Sequence, residues 1–318
     1  MIDALHVCLQ GSLMIALMLV ARPLVLSRLT PRERDVLWLL VIVRLAVPLP
    51  FPFSATIRAA TGTALSGDAI LGASSISSSV PVIESPPFEG GRLALLTSQP
   101  IRTMLLLIWA VEFVACVTFE VASAIMYYRR FLREARLLGN VRETCLCAGH
   151  RFGREVRLYE APDIPVPITL GVLRPVIVVP ASFLSLSQQQ RALIIEHEMA
   201  HVERFDVVRK ASVCLVVSLH WFNPLAWIMR SVIERDIELA CDERAMRGLG
   251  ADDRRVYAHL LLDTAEMRAW TMWGTASFGT SSLRERILAI TRPRRWSATP
   301  AAATSAFLCS VLIALSIV

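Results

Sequence analysis

The stretch Ser187-Gln188-Gln189-Gln190-Arg191-Ala192-Leu193-Ile194-Ile195-Glu196-His197-Glu198-Met199-Ala200-His201 decides how this chain is read, because it sets a metal-ligand pattern inside a helix. The Ser-x-x-Gln spacing from Ser187 to Gln190 is a capping box, so it predicts a helix start just ahead of the apolar residues Ala192 to Ile195. His197 and His201 then lie four residues apart on one helix, so both imidazoles project from the same face and can reach one ion. Glu198 lies between them and points toward the ion's open position, where a carboxylate can take a proton from water.

A catalytic zinc usually has three protein ligands, and the third is expected from another helix. Glu234-Arg235-Asp236-Ile237-Glu238-Leu239-Ala240-Cys241-Asp242-Glu243 supplies that helix. Glu238 and Asp242 are also four apart, with Glu238 taken as the third ligand and Asp242 as the group that orients a ligand histidine through its free ring N–H. A solvated acidic helix face is the alternative reading of this run.

With these residues in place, the chain resembles the BlaR/MecR-type receptor metallopeptidases that sense β-lactams in bacteria. The resemblance rests on HExxH followed by Glu203-Arg204-Phe205-Asp206, on His220-Trp221-Phe222-Asn223-Pro224-Leu225-Ala226-Trp227, and on Glu238-Leu239-Ala240-Cys241-Asp242-Glu243. Upstream it includes Ile168-Thr169-Leu170-Gly171 and Pro175-Val176-Ile177-Val178-Val179-Pro180, and it covers 129–295 with the flanking membrane segments. It implies one Zn2+ per chain held by His197, His201 and Glu238, with Glu198 as general base and Asp206 and Asp242 as supporting carboxylates. The best-known family members carry a penicillin-binding sensor domain after their last membrane helix; this sequence stops at Val318 without one, so the expectation is a member lacking it.

Composition agrees with a membrane protein: 54% of residues are hydrophobic and only 19% are charged, with a mean hydropathy of +0.53. Four spans are expected. The resulting division is a transmembrane hairpin over 1–53 (spans 5–25 and 36–53), an extracytoplasmic flexible loop over 54–100, a third span over 101–128, a peptidase domain over 129–300 and a fourth span over 301–318. The first span does not read as a cleaved signal peptide, since Met1-Ile2-Asp3 lacks a basic n-region and no small-residue cleavage site follows. Arg28, Arg32 and Arg34, then Arg129, Arg130, Arg133 and Arg136, then Arg292, Arg294 and Arg295 mark cytoplasmic flanks, whereas the Ser-, Gly- and Pro-rich loop has only Arg58 and Arg92. Both termini are therefore expected outside a bacterial cytoplasmic membrane, and the zinc site inside.

Nearly all of the basic residues behind the net charge of +6 are arginines, Lys210 being the single lysine, and many cluster at span ends, so direct nucleic-acid binding is not expected. Seven scattered cysteines imply no disulfide framework, and Cys241 reads as a small packed residue.

Between His201 and Glu238 lie 36 residues, mostly apolar from Ala211 to Met229, with Asn223-Pro224 in their middle. The break leaves two arms too short to cross a bilayer, which fits a re-entrant or bilayer-edge hairpin; a buried soluble hairpin is the alternative. Val176, Ile177, Val178 and Val179 have strand character and are proposed as the edge that holds substrate, with core packing as the equal alternative. Arg44 and Glu112, both inside spans, are expected to face each other, snorkelling of Arg44 being the alternative.

His220 and Tyr257 are candidates for stabilising an oxyanion or contacting substrate. By resemblance, the target is a cytosolic repressor-like protein, and the small-residue segment 274–282 marks a self-cleavage site near Ser277 and Phe278. The expected protein is thus mainly α, with four membrane helices and a gluzincin-like α+β zinc endopeptidase domain containing a small sheet and a membrane-associated helical hairpin. Its partners are the lipid bilayer and its substrate, with a homodimer left open. The alternatives are a membrane protease of the HtpX or CAAX-processing kind and a catalytically silent zinc-fold scaffold. The site-two type is disfavoured because no LDG motif accompanies HExxH.

Overall fold

The computed structural model describes residues 2–24, 29, 31–46, 99–141, 155–162, 164–271 and 276–291. In chain order the elements are α1 (Ile2–Leu24), α2 (Pro31–Ala46), α3 (Gln99–Glu134), β1 (Arg136–Asn140), β2 (Arg157–Ala161), β3 (Ile168–Leu170), β4 (Val176–Pro180), a 3-10 turn (Ala181–Ser185), α4 (Gln188–Glu203), α5 (Asp206–Leu219), α6 (Pro224–Ala245), α7 (Ala251–Thr271) and α8 (Ala276–Thr291).

The capping box forms as its spacing predicts. The Gln190 backbone N–H donates to Ser187 Oγ at 3.2 Å, and the Ser187 N–H donates to Gln190 Oε1 at 3.0 Å. Helix α4 then runs through three packing environments. Ile195, Met199 and Val202 lie against the sheet residues Leu158, Ile177 and Val179. Leu193 joins Tyr257 and Leu261 of α7, and Ala200 joins a cluster built from α1, α2, α5 and α6. Full burial of each large aliphatic side chain stabilises by about 1.5–3 kcal/mol, so the motif helix is fixed on every side before any ion is considered.

Asn223 and Pro224 do separate two helices. The Asn223 side chain accepts from the Leu225 N–H at 3.0 Å and Pro224 takes the first helical position. The second arm is longer than expected, because no Gly or Pro interrupts 225–245 and α6 runs unbroken to Ala245. Glu238 therefore sits on the same rigid helix as the apolar arm. The first arm, α5, has 14 residues, about 21 Å at 1.5 Å per residue.

The four-stranded sheet has the order β1-β2-β4-β3. β1 and β2 are antiparallel, β2 and β4 parallel, and β3 and β4 antiparallel. This corrects the reading of Val176, Ile177, Val178 and Val179 as an edge: β4 is hydrogen-bonded on both sides, and Ile177, Val178 and Val179 are fully buried. The β-branched run marks a central strand, and the outer position beside it belongs to the three-residue β3. The return from β3 to β4 turns at Gly171, where φ is +79° and a Cβ would lie 2.7 Å from the Arg174 carbonyl oxygen, so the turn has room for glycine alone.

Among the described residues, Gln99–Met126 is the helical stretch long and apolar enough to cross a membrane, and none of its most apolar window is buried. Cys8–Arg22 in α1 is apolar but shorter. Helix α2 starts at Pro31, earlier than expected, and its first turn carries Arg32, Glu33, Arg34 and Asp35. The expected spans' remainder at 47–53, most of the loop over 54–100 and the fourth span over 301–318 lie outside the described residues. Arg44 does not face Glu112: its Nη2 donates to Gln10 Oε1 of α1 at 2.8 Å, while α3, which carries Glu112, packs against α5 and β2.

Candidate metal centre

His197, His201 and Glu238 converge: one ligand atom from each lies within 4.8 Å of the others. Glu238 Oε2 is 3.6 Å from His197 Nε2, and Glu238 Oε1 is 3.8 Å from His201 Nε2. Ligand atoms around a tetrahedral zinc with bonds of about 2.0–2.1 Å are about 3.3–3.5 Å apart, so a small inward closure would bring this set around such an ion. The two rings meet edge to face, with centroids 4.9 Å apart.

Both rings turn Nε2 toward Glu238 because both Nδ1 atoms are already engaged. His201 Nδ1 is 2.8 Å from Asp206 Oδ2. His197 Nδ1 lies 3.2 Å from Asp242 Oδ1 and 2.8 Å from the Tyr257 hydroxyl. An Nδ1–H held by an acceptor leaves Nε2 as the lone-pair nitrogen, which is the tautomer a metal needs. Asp206 reaches back because the chain reverses between α4 and α5 at Phe205, which adopts a left-handed φ of 54°.

The supporting carboxylates stay ionised. Burial would raise the Asp242 carboxyl, but Arg286 and the hydrogen bond from His197 hold it at about 2. Burial likewise opposes ionisation of Asp206, and His201, Arg204 and Arg209 pull it below its usual range. Glu238 lies well below the usual carboxylate value, its burial outweighed by His197, His201, Arg286 and Lys210. Burial disfavours a charged His197 ring, yet Asp242 and Glu238 raise it to about 9, so a cation binding there competes with a proton.

Glu198 is 7% exposed, and its carboxylate accepts a hydrogen bond from Thr169 Oγ1 on β3 at 2.7 Å. The same hydroxyl lies 3.2 Å from the Glu198 carbonyl oxygen. Thr169 thus ties the outer strand to the carboxylate, a role that sequence reading misses because Thr169 lies 29 residues from Glu198. Thr169→Val, which keeps the shape and removes a hydrogen bond to a charged acceptor, is expected to lower kcat on the order of tenfold, with metal content unchanged. Steady-state cleavage kinetics beside elemental analysis would check this.

Arg286 is the second residue that sequence reading misses. Its Nε and Nη2 both donate to Asp242 at 2.7 Å, and Nη1 is 3.2 Å from Glu238 Oε2. Lys210 Nζ lies 3.5 Å from Glu238 Oε1 and its side chain remains 44% exposed. Burial and the Asp206 and Glu238 carboxylates push the Cys241 thiol up; it donates to Asp206 Oδ2 at 3.2 Å. Cys241, His201 and Asp206 also form a close group, but it shares His201 Nδ1 with the Asp206 contact, so the thiol packs there as expected and helps to hold the ring.

Two candidates take other places. Tyr257 is 2% exposed, its O–H donates to Asp242 Oδ1 at 2.7 Å and its oxygen accepts from His197, so no donor is left for an oxyanion. The His220 ring lies 3.1 Å from the Leu45 carbonyl oxygen at the end of α2, in the turn between α5 and α6 and outside the cluster. Ser277 and Phe278 fall in the first turn of α8 rather than in a loop.

A histidine pair on α4, a carboxylate from α6 and a buried layer of oriented acids define the class of metallopeptidases that carry HExxH and a distal glutamate. The chain belongs to the BlaR1 peptidase M56 family, whose model matches residues 2–290. It is 28% identical over 144 residues to the regulatory protein BlaR1 of Bacillus licheniformis, covering 44% of this chain and 24% of that protein. Over 172 residues it is 22% identical to the methicillin resistance mecR1 protein of Staphylococcus aureus, covering 53% and 29%. Over 162 residues it is 25% identical to the regulatory protein BlaR1 of Staphylococcus aureus, covering 49% and 27%. The chain spans roughly a quarter of the length of these relatives.

Proposed function

We propose that this chain is a membrane-embedded zinc endopeptidase that acts in regulatory signalling by cutting a cytosolic, repressor-like protein. The observation that carries this reading is the convergence of His197 Nε2, His201 Nε2 and the Glu238 carboxylate beside Glu198. The names of the relatives, a regulatory protein and a methicillin resistance protein, support a role in β-lactam-response signalling. Membership of the M56 family favours this over a protease of the HtpX or CAAX-processing kind.

When bound, zinc would polarise a peptide carbonyl and acidify a water. Glu198 is the group that accepts the water's proton and later delivers it to the leaving amine. Asp206 and Asp242 keep the two imidazoles in register, with Tyr257 and Arg286 holding Asp242. The outer strand β3, which pairs with β4 on one side and touches Glu198 through Thr169, is the segment to which an extended substrate would add by backbone hydrogen bonds. Self-cleavage near Ser277 and Phe278 would require the first turn of α8 to unwind, since a protease cleft takes an extended chain.

We place the site at the cytosolic face of a four-span protein. The arginine-rich flanks support this orientation, and the exposed apolar residues of α3, together with Leu215, Phe222, Trp227 and Ile228 on the hairpin of α5 and α6, support a bilayer-edge setting for the hairpin. In native membranes, Cys214 is expected to resist aqueous thiol reagents and to react after detergent extraction; equal labelling in both states would remove the hairpin from the bilayer.

The proposal is tested by zinc content together with cleavage of a co-expressed cytosolic repressor, wild type against Glu198→Gln. Equal cleavage by both forms would overturn it.

A further inference from the structure

Two ionic clusters join the start of α2 to both helices of the metal centre. In the first, Arg204 Nη2 donates to Asp35 Oδ2 at 2.7 Å, and Arg209 Nη2 donates to Asp35 Oδ1. The other face of the same arginine pair meets Asp206: Arg209 Nη1 donates to Oδ1 at 3.1 Å, and Arg204 Nε is 3.5 Å from Oδ2. Asp206 holds His201. In the second, Asp236 is 3% exposed and accepts from Arg34 Nη1 at 2.8 Å, Trp38 Nε1 at 3.1 Å and Arg22 Nη2 at 3.1 Å. Asp236 precedes Glu238 by two residues on α6.

Successive helix positions point about 100° apart, so the adjacent Arg34 and Asp35 reach in different directions, one to α6 and the other to the junction of α4 and α5. We propose that this charged opening of α2 is a positioning element of the metal site, setting His201 through Asp35, Arg204, Arg209 and Asp206, and setting the helix of Glu238 through Arg34, Trp38 and Asp236. The inference rests on the metal-site reading above and adds to it a dependence of metal affinity on where α2 sits. A rotation or axial shift of α2 moves both anchor points together, so the α1 and α2 hairpin can tighten or loosen the site without touching it. Of these residues Asp206 alone is hydrogen-bonded to a proposed metal ligand, at His201 Nδ1; Asp35, Arg204 and Arg209 act through it, and Arg34, Trp38 and Asp236 act through α6.

The test uses the full chain in detergent with cobalt(II) as the probe metal. The cobalt d–d absorption reports ligand geometry, and competition with a chromophoric chelator reports affinity. Asp35→Asn is expected to weaken cobalt affinity by about tenfold or more, in the range seen when outer partners of metal ligands are lost, and to alter the d–d spectrum. Asp35→Glu, which keeps the charge, is expected to restore most of the affinity. Asp35→Asn combined with Arg209→Gln is expected to lose little more than the larger single change, because both interrupt one chain of contacts.

A folded Asp35→Asn protein with wild-type affinity and spectrum would overturn the proposal, as would fully additive losses in the double variant. If Asp35→Asn does not fold, Arg209→Lys, which keeps the charge and removes the fork, is judged by the same criterion. A folded wild-type chain that binds no cobalt would overturn the metal-site reading itself, a different outcome from unchanged binding in the variant.

Discussion

Glu198→Gln is expected to lower kcat by about 10²–10⁴-fold, the usual contribution of a positioned general base, or about 3–5.5 kcal/mol of barrier at 1.36 kcal/mol per decade. The substitution is nearly isosteric, and the amide oxygen of glutamine can still accept from Thr169 Oγ1, which now lies 2.7 Å from the carboxylate. What disappears is the ability to take a proton. The metal should remain, because His197, His201 and Glu238 keep their own supports: Asp242 and Tyr257 for the first ring, Asp206 for the second, and Arg286 and Lys210 beside the third. Cleavage kinetics paired with zinc analysis of the same preparation would show both effects. A variant retaining more than roughly a tenth of wild-type kcat lies below that range and would remove Glu198 from the role of base.

The parts of this site legible in the sequence share one property: they are local. The capping box joins residues three apart, the histidines and the pair Glu238 and Asp242 are four apart, and the Asn-Pro helix start is contained in three residues. Helix geometry alone fixes what such residues can share. The supports are not legible because they join distant parts of the chain. Thr169 is 29 residues from Glu198, Arg286 is 44 from Asp242 and Asp35 is 169 from Arg204. Tyr257 stands out in the sequence as a polar aromatic, but only packing of α7 on α4 makes it a partner of His197.

The sheet shows the same limit in another form. A β-branched run signals burial on both faces, and Ile177, Val178 and Val179 are indeed buried, with Val176 partly so. It does not signal which strands flank it. The outer strand is Ile168-Thr169-Leu170, too short to show a period and separated from β4 by a turn. Arg44 follows the same pattern: a charge in an apolar helix announces that it needs a partner, and its Nη2 finds Gln10 of the neighbouring α1 in place of Glu112, with Nε and Nη1 buried and without a hydrogen bond among the described residues.

Arg286→Leu is expected to destabilise the metal-free protein by about 3–5 kcal/mol, the cost of removing one member of a buried ion pair. The Asp242 side chain is fully buried and that of Arg286 is 12% exposed, so the carboxylate left behind has no access to water. Tyr257 and His197 remain as its partners, but neither replaces the two parallel guanidinium donors. Arg286→Lys keeps the charge without the fork and should fall between the two forms. The deficit also carries a sign with pH. In the wild type, Asp242 is held at about 2, below the about 3.9 of an unfolded aspartate, so its contribution is present above the unfolded value and is lost as pH falls through the folded one. Without Arg286, burial raises the carboxyl, and protonation removes the orphaned charge. The stability gap between Arg286→Leu and wild type should therefore be full at neutral pH and narrow on acidification. Added zinc, which would bind only the folded state, should stabilise the wild type at least as much as the variant, because Arg286 holds the carboxylate that orients His197, and so should not close the gap. Denaturant unfolding with and without zinc at two pH values measures all of these differences, and a variant within about 0.5 kcal/mol of wild type at neutral pH, the range of ordinary surface substitutions, would show that Arg286 does not hold the site together.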